Sequence, residues 1–209
     1  MTPNSQSPPK SRTKIVPNYH SITMPFKQGL TAHWLNGQCD SVPQLREPLS
    51  DWLLDSASLT KRLTLQSESF KVIVLQQSQS SLSQQEKDLF ERDDIECREV
   101  LLICDNQAQV YARTLIPKAT LEHANKRLAT LGNTSLGEVL FSDPSMRRST
   151  IEVCQFNEFS PIAMMSQQLL LPAQSNIWAR RSMFYLQDYP LCVVECFLPG
   201  SLAYSKSLL

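Results

Sequence analysis

Two charged residues stand where strand patterning should bury them. In LCVVECFLP (191–199) the alternation puts Leu191, Val193, Glu195 and Phe197 on one strand face, so Glu195 projects from an apolar stripe. A buried carboxylate has a raised pKa unless a cation or donor holds its charge, and it can make one well-aimed hydrogen bond to a ligand. Arg98 is its counterpart in IECREVLLICDNQAQVYARTLIP (95–117), sharing a face with Val100, Leu102 and Cys104 while Glu99, Leu101 and Ile103 take the other. A guanidinium is costly there unless an anion meets it. The returning strand repeats the pattern, with Arg113 between Tyr111 and Leu115. Two arginines in apolar surroundings read as a binding wall for a negatively charged ligand. The competing reading of each charged residue is a structural ion pair. Arg180-Arg181 opens a later strand and reads as solvated surface.

Other chemistries find no support. No Ser/His/Asp pattern, Gly-rich phosphate loop or paired metal carboxylates can be assembled, and five glycines leave little for a nucleotide cradle. The histidines His20, His33 and His123 are scattered, and the six cysteines form no C-x-x-C, so no metal is expected. An enzyme built from this chain would use no cofactor and would bind an anion and steer its rearrangement. Lys+Arg and Asp+Glu balance at 20 each, which argues against nucleic acid or an anionic membrane as partner. No apolar run approaches the roughly 18 residues of a spanning helix, and the N-terminus lacks a secretory core. Most cysteines lie in expected strands, where a thiol acts as a small apolar side chain. A cytoplasmic, monomeric protein is the expectation.

The elements that must position these residues fall into an α+β pattern. Residues 1–18 are polar and proline-rich and read as a disordered tail, leaving 19–209 as one domain. Residues 19–43 show no clear period. A helix is expected around Trp52-Leu53-Leu54, and a second from Ser56 or Ser58 through Leu59 and Leu63. Strands are expected at Glu68–Gln77, in the hairpin reversing at Asp105-Asn106-Gln107, and at Ser149–Phe156, Ala179–Gln187 and Leu191–Leu198. A helical turn near Glu86–Phe90 interrupts a polar loop. Lys118–Leu131 reads as a helix stopped by Gly132-Asn133, and Leu136–Phe141 as a short partner ended by Asp143-Pro144. Asp188-Tyr189-Pro190 reads as the turn of the last hairpin. The polar, Met-rich stretch 157–176 reads as an insertion.

Five stretches in this order resemble the chorismate pyruvate-lyase family: DWLLDSASLTKRL (51–63), CREVLLICDNQAQVYARTLIP (97–117), LATLGNTSLGEVLF (128–141), RRSTIEV (147–153) and WARRSMFYLQDYPLCVVECFLPGSLAY (178–204). The resemblance implies a six-stranded antiparallel sheet with helical-hairpin flaps closing over a buried ligand cavity. It implies cleavage of chorismate to 4-hydroxybenzoate and pyruvate, in ubiquinone synthesis, without a cofactor. By motif, Arg98 would hold the ring carboxylate and Glu195 would meet the product hydroxyl. Leu59 and Leu136 would be flap contacts, Leu59 standing where relatives often place Met. Arg113 would face the departing enolpyruvyl carboxylate. The insertion at 157–176 departs from the pattern and could alter a lid or a surface contact. Two other readings remain open. One is an effector-binding module of the same fold, as in GntR-type regulators, although the residues before Pro43 are too few and too polar for their winged helix. The other is a lyase acting on a related chorismate-type acid.

Overall fold

The computed structural model describes residues 17–23, 29–39, 45–124 and 126–205. The expected disordered tail lies, for residues 1–16, outside the described residues. One antiparallel sheet organises the rest. Its strands are β1 (Leu35–Asn36), β2 (Phe70–Gln79), β3 (Ile95–Cys104), β4 (Gln107–Pro117), β5 (Arg147–Arg148), β6 (Glu152–Asn157), β7 (Asn176–Leu186) and β8 (Tyr189–Phe197). The order across the sheet is β1-β6-β7-β8-β4-β3-β2, with β5 pairing β7 beside β6. The six long strands correspond to the six expected, and β1 and β5 add two-residue edge pieces. The class is α+β.

Both central hairpins reverse in two residues. Asp105 and Asn106 sit at φ +49° and +62°, a left-handed pair whose twist matches that of the flanking strands. The last hairpin turns at Gln187-Asp188 rather than at Asp188-Tyr189-Pro190, since Leu186 pairs Tyr189 and Tyr185 pairs Pro190. In β4 one residue is extra. Ile103 pairs Ala108 but Leu102 pairs Val110, so Gln109 is bulged out of the ladder. Every later partner shifts by one, and side chains that would have shared a face are exchanged.

Helices cover both faces. On one lie α1 (Leu49–Leu54), α2 (Leu59–Leu65), α4 (Lys118–His123), α5 (Lys126–Ala129) and α6 (Leu136–Ser142). The expected helix Lys118–Leu131 is thus divided in two. Trp52, Leu53, Leu59 and Leu63 pack on Val100, Leu102 and Val110, while Leu128, Val139 and Leu140 pack on Phe184 and Leu191. The opposite face is covered by α3 (Gln84–Asp88), α7 (Pro161–Gln168) and the segment around Tyr19 and Leu30. α7 starts at Pro161 after Ser160, whose hydroxyl accepts from Ala163 N at 3.3 Å. It buries Ile162, Ala163 and Met165 against Leu101, Tyr111 and Ala179. The stretch read as an insertion is therefore a core element, on the face away from the flaps. It forms no lid. No described helix is long and apolar enough to cross a membrane.

Candidate active site

A cavity lies between the sheet and two flaps, α2 and the α5–α6 pair. Its floor comes from β3, β4 and β8, including Val100, Ala112 and Val193, and its roof from Leu59 of α2 and Leu136 and Leu140 of α6. The flaps meet where Thr60 Oγ1 and Ser135 Oγ stand 2.6 Å apart. Gly137 allows this closeness, because a Cβ there would lie 3.0 Å from Thr60 Oγ1. About 50 Å³ is open to the centre of a water-sized sphere, the space of a few waters at about 10–15 Å³ each.

Charge enters this apolar space from four strands. Arg98 points up from β3, only 2% exposed. It donates to Gln77 Oε1 at 2.8 Å and to the carbonyls of Gly132 and Thr134, in the turn between α5 and α6, at 2.8 and 3.3 Å. All three acceptors are uncharged, and burial lowers the Arg98 pKa. Glu195 rises from β8 opposite Arg180 of β7, and its Oε2 accepts from Arg180 Nε at 2.6 Å. Arg180 is 1% exposed. Its Nη1 donates to the carbonyls of Trp52 and Asp55 at 2.9 and 2.7 Å, closing the C-terminus of α1. Arg148, half-buried on β5, completes the charged lining.

Leu59, Arg98, Leu136 and Glu195 are therefore gathered around one space. Arg113 is not. The bulge at Gln109 sets Arg113 opposite Glu99, with Thr114 opposite Arg98, so its side chain enters the core on the other face. There Arg113 Nε donates to Glu86 Oε1 and Nη1 to Glu99 Oε1, each at 2.7 Å. Tyr111 also donates to Glu99. Glu86 is in turn held by the N-terminus of α3, through a reciprocal cap with Ser83. Arg113 is fully buried with two carboxylates, so the expectation that it would face a departing carboxylate is corrected. Arg180, read as surface, is a second correction, and Arg148 was not singled out at all. The signal for Arg180 was the ladder, since counting back from a turn at Gln187-Asp188 sets 180 opposite 195. For Arg148, on a two-residue strand after a bend, no periodic signal exists.

The pattern described as chorismate lyase matches residues 30–208. The chain belongs to the chorismate lyase family. A probable chorismate pyruvate-lyase from Psychromonas ingrahamii is 46% identical over 160 residues, covering 74% of this chain and 84% of the relative. One from Pseudoalteromonas translucida is 38% identical over 182 residues, covering 86% and 98%. Among solved structures, the PhnF C-terminal domain superposes with a TM-score of 0.50 at 15% identity, covering 70% of this chain and 94% of that one. That likeness concerns the fold alone.

Proposed function

We propose that this protein is a chorismate pyruvate-lyase, converting chorismate to 4-hydroxybenzoate and pyruvate for ubiquinone synthesis. The observation that carries the reading is the charge of the cavity: Arg98, Arg148 and Arg180 face a single carboxylate, Glu195, among its described lining residues. Chorismate is a dianion on a six-membered ring, and a lining with two surplus positive charges suits it. Arg98 takes the ring carboxylate, and Glu195 accepts from the ring hydroxyl. Leu59 and Leu136 close on the ring faces.

The reaction is redox-neutral and needs no added atom. The C–H bond of the hydroxyl-bearing ring carbon breaks with loss of its proton, its electrons form the double bond to the neighbouring ether carbon, and the ether C–O bond to the ring breaks. Enolpyruvate leaves with that electron pair and takes up a proton to become pyruvate. Aromatisation drives the step, so the protein's contribution is to orient the ring and stabilise charge on the leaving oxygen. No cofactor is required by this chemistry. We place the enzyme in the reducing cytoplasm as a monomer, consistent with buried thiols such as Cys192, whose pKa burial pushes up to about 12.

The test is incubation with chorismate in the absence of metal and nucleotide, with pyruvate and 4-hydroxybenzoate assayed together. Equimolar release supports the reading. Absence of both, with 4-hydroxybenzoate still bound, would replace it by an effector module or a different substrate. Loss of binding as well would remove the site assignment.

A further inference from the structure

Arg148 resembles Arg98 in being held by neutral groups alone. Its Nε donates to Ser182 Oγ at 3.0 Å and its Nη1 to the carbonyl of Ser56 at 3.1 Å, while the guanidinium lies 5.0 Å from the Phe184 ring centroid. Each of these partners is neutral, and no ion pair is formed by Arg148 among the described residues. Glu195, the carboxylate of the lining, is already paired with Arg180. Burial, and then the neighbouring Arg180 charge, lower the Arg148 pKa to about 10. Two guanidiniums therefore share one carboxylate at this end of the cavity, an arrangement that favours arrival of a second anion. Position adds to charge. From β3, which carries Arg98, the sheet runs through β4, β8 and β7 to β5, which carries Arg148. At about 4.8 Å per step these two strands stand on opposite sides of the cavity, and the two long side chains reach inward from them.

We propose that Arg148 forms a second anion subsite, which binds the enolpyruvyl carboxylate of the substrate and stabilises the enolpyruvate as it leaves. Arg180 is a positioning residue: its Nε is committed to Glu195 and its Nη1 to the end of α1, so it fixes the carboxylate that meets the ring hydroxyl. The division of labour is then complete. Arg98 reads the carboxylate that stays with the product, and Arg148 reads the one that departs. The inference rests on the lyase reading of this cavity, and its test separates the two.

The decisive comparison is Arg148→Gln against Arg98→Gln, with turnover of chorismate and binding of 4-hydroxybenzoate measured on each. 4-Hydroxybenzoate lacks the departing carboxylate. Arg148→Gln is expected to lower kcat/KM by about 100-fold or more while 4-hydroxybenzoate affinity stays within about threefold, which also certifies the fold. Arg98→Gln loses both. Arg148→Lys, which restores the charge without the fork, recovers part of the turnover. Unchanged turnover in Arg148→Gln, or a parallel loss of 4-hydroxybenzoate binding, would overturn the subsite. A readout independent of turnover is pyruvate binding to the 4-hydroxybenzoate-saturated protein, expected in wild type and absent in Arg148→Gln. If wild type binds both products yet turns over no chorismate, the lyase reading fails and the subsite stands. If pyruvate binds equally to wild type and to Arg148→Gln, the subsite fails.

Discussion

Glu195 Oε2 is bound to Arg180, which leaves Oε1 without a hydrogen-bond partner among the described residues. That free oxygen is the one that can accept from a ring hydroxyl. Glu195→Gln keeps the shape but weakens a charge-assisted contact worth roughly 1.5–3 kcal/mol. We expect kcat/KM to fall about 10- to 150-fold, measured by pyruvate release. A far larger loss would mean that Glu195 moves a proton, and an unchanged rate would take it out of the site. Arg113 tests the opposite face. Arg113→Met leaves Glu86 and Glu99 buried without their cation, so urea unfolding should show a loss of roughly 3–5 kcal/mol. KM for chorismate, measured on the folded fraction, should be unaltered, whereas a substrate-binding Arg113 would raise it. Residue types alone marked Arg98 and Glu195, because an isolated charge in an apolar alternation stands out. They could not separate Arg113 from Arg180. Arg113 changes face through one extra residue at Gln109, and Arg180 meets Glu195 through the placement of one turn. Both are matters of register, which depends on hydrogen-bond pairing that a single strand's pattern does not record.

At the scale of elements, the flaps decide access. α2 begins at Ser58, whose hydroxyl accepts from Lys61 N at 3.3 Å, so the two-helix joint after α1 is legible in DSASLTKR. α6 follows Ser135, as the Gly-Asn break implies. What holds the flaps is tertiary: the Thr60–Ser135 contact joins them, and the tie from Arg98 to the carbonyls of the α5–α6 turn binds one of them to the sheet. The second tie makes Arg98 also a flap anchor. Flap parting must break these bonds, so on the lyase reading proposed above we expect them to slow product release. Thr60→Val removes one hydrogen bond of about 0.5–1.5 kcal/mol, which corresponds to release of 4-hydroxybenzoate faster by about 2- to 12-fold. Stopped-flow displacement of the product measures this directly. An unchanged release rate would show that the flaps open elsewhere than at this seam.

The whole molecule is a sheet with unlike faces. One is hollow, arginine-lined and closed by short helices. The other is covered by α7, α3 and the buried Arg113 network. The α+β layering followed from strand patterns and turn residues, but the role of 157–176 did not, because its polar composition hides the narrow stripe of Ile162, Ala163, Met165 and Leu169. Only packing against β6 and β7 reveals that stripe as core. A covered back face has a mechanical consequence. The cavity floor consists of β3, β4 and β8, and those strands stay in place during flap opening only if the reverse face is filled. Met165→Ala should therefore lower stability by roughly 2–5 kcal/mol, the cost of truncating a buried large side chain, read from chemical denaturation. Because Met165 lies behind the sheet, KM for chorismate at low temperature should remain near wild type. Should KM instead rise with little loss of stability, the back layer would be shaping the cavity through the sheet, and the division into a working face and a supporting face would have to be abandoned.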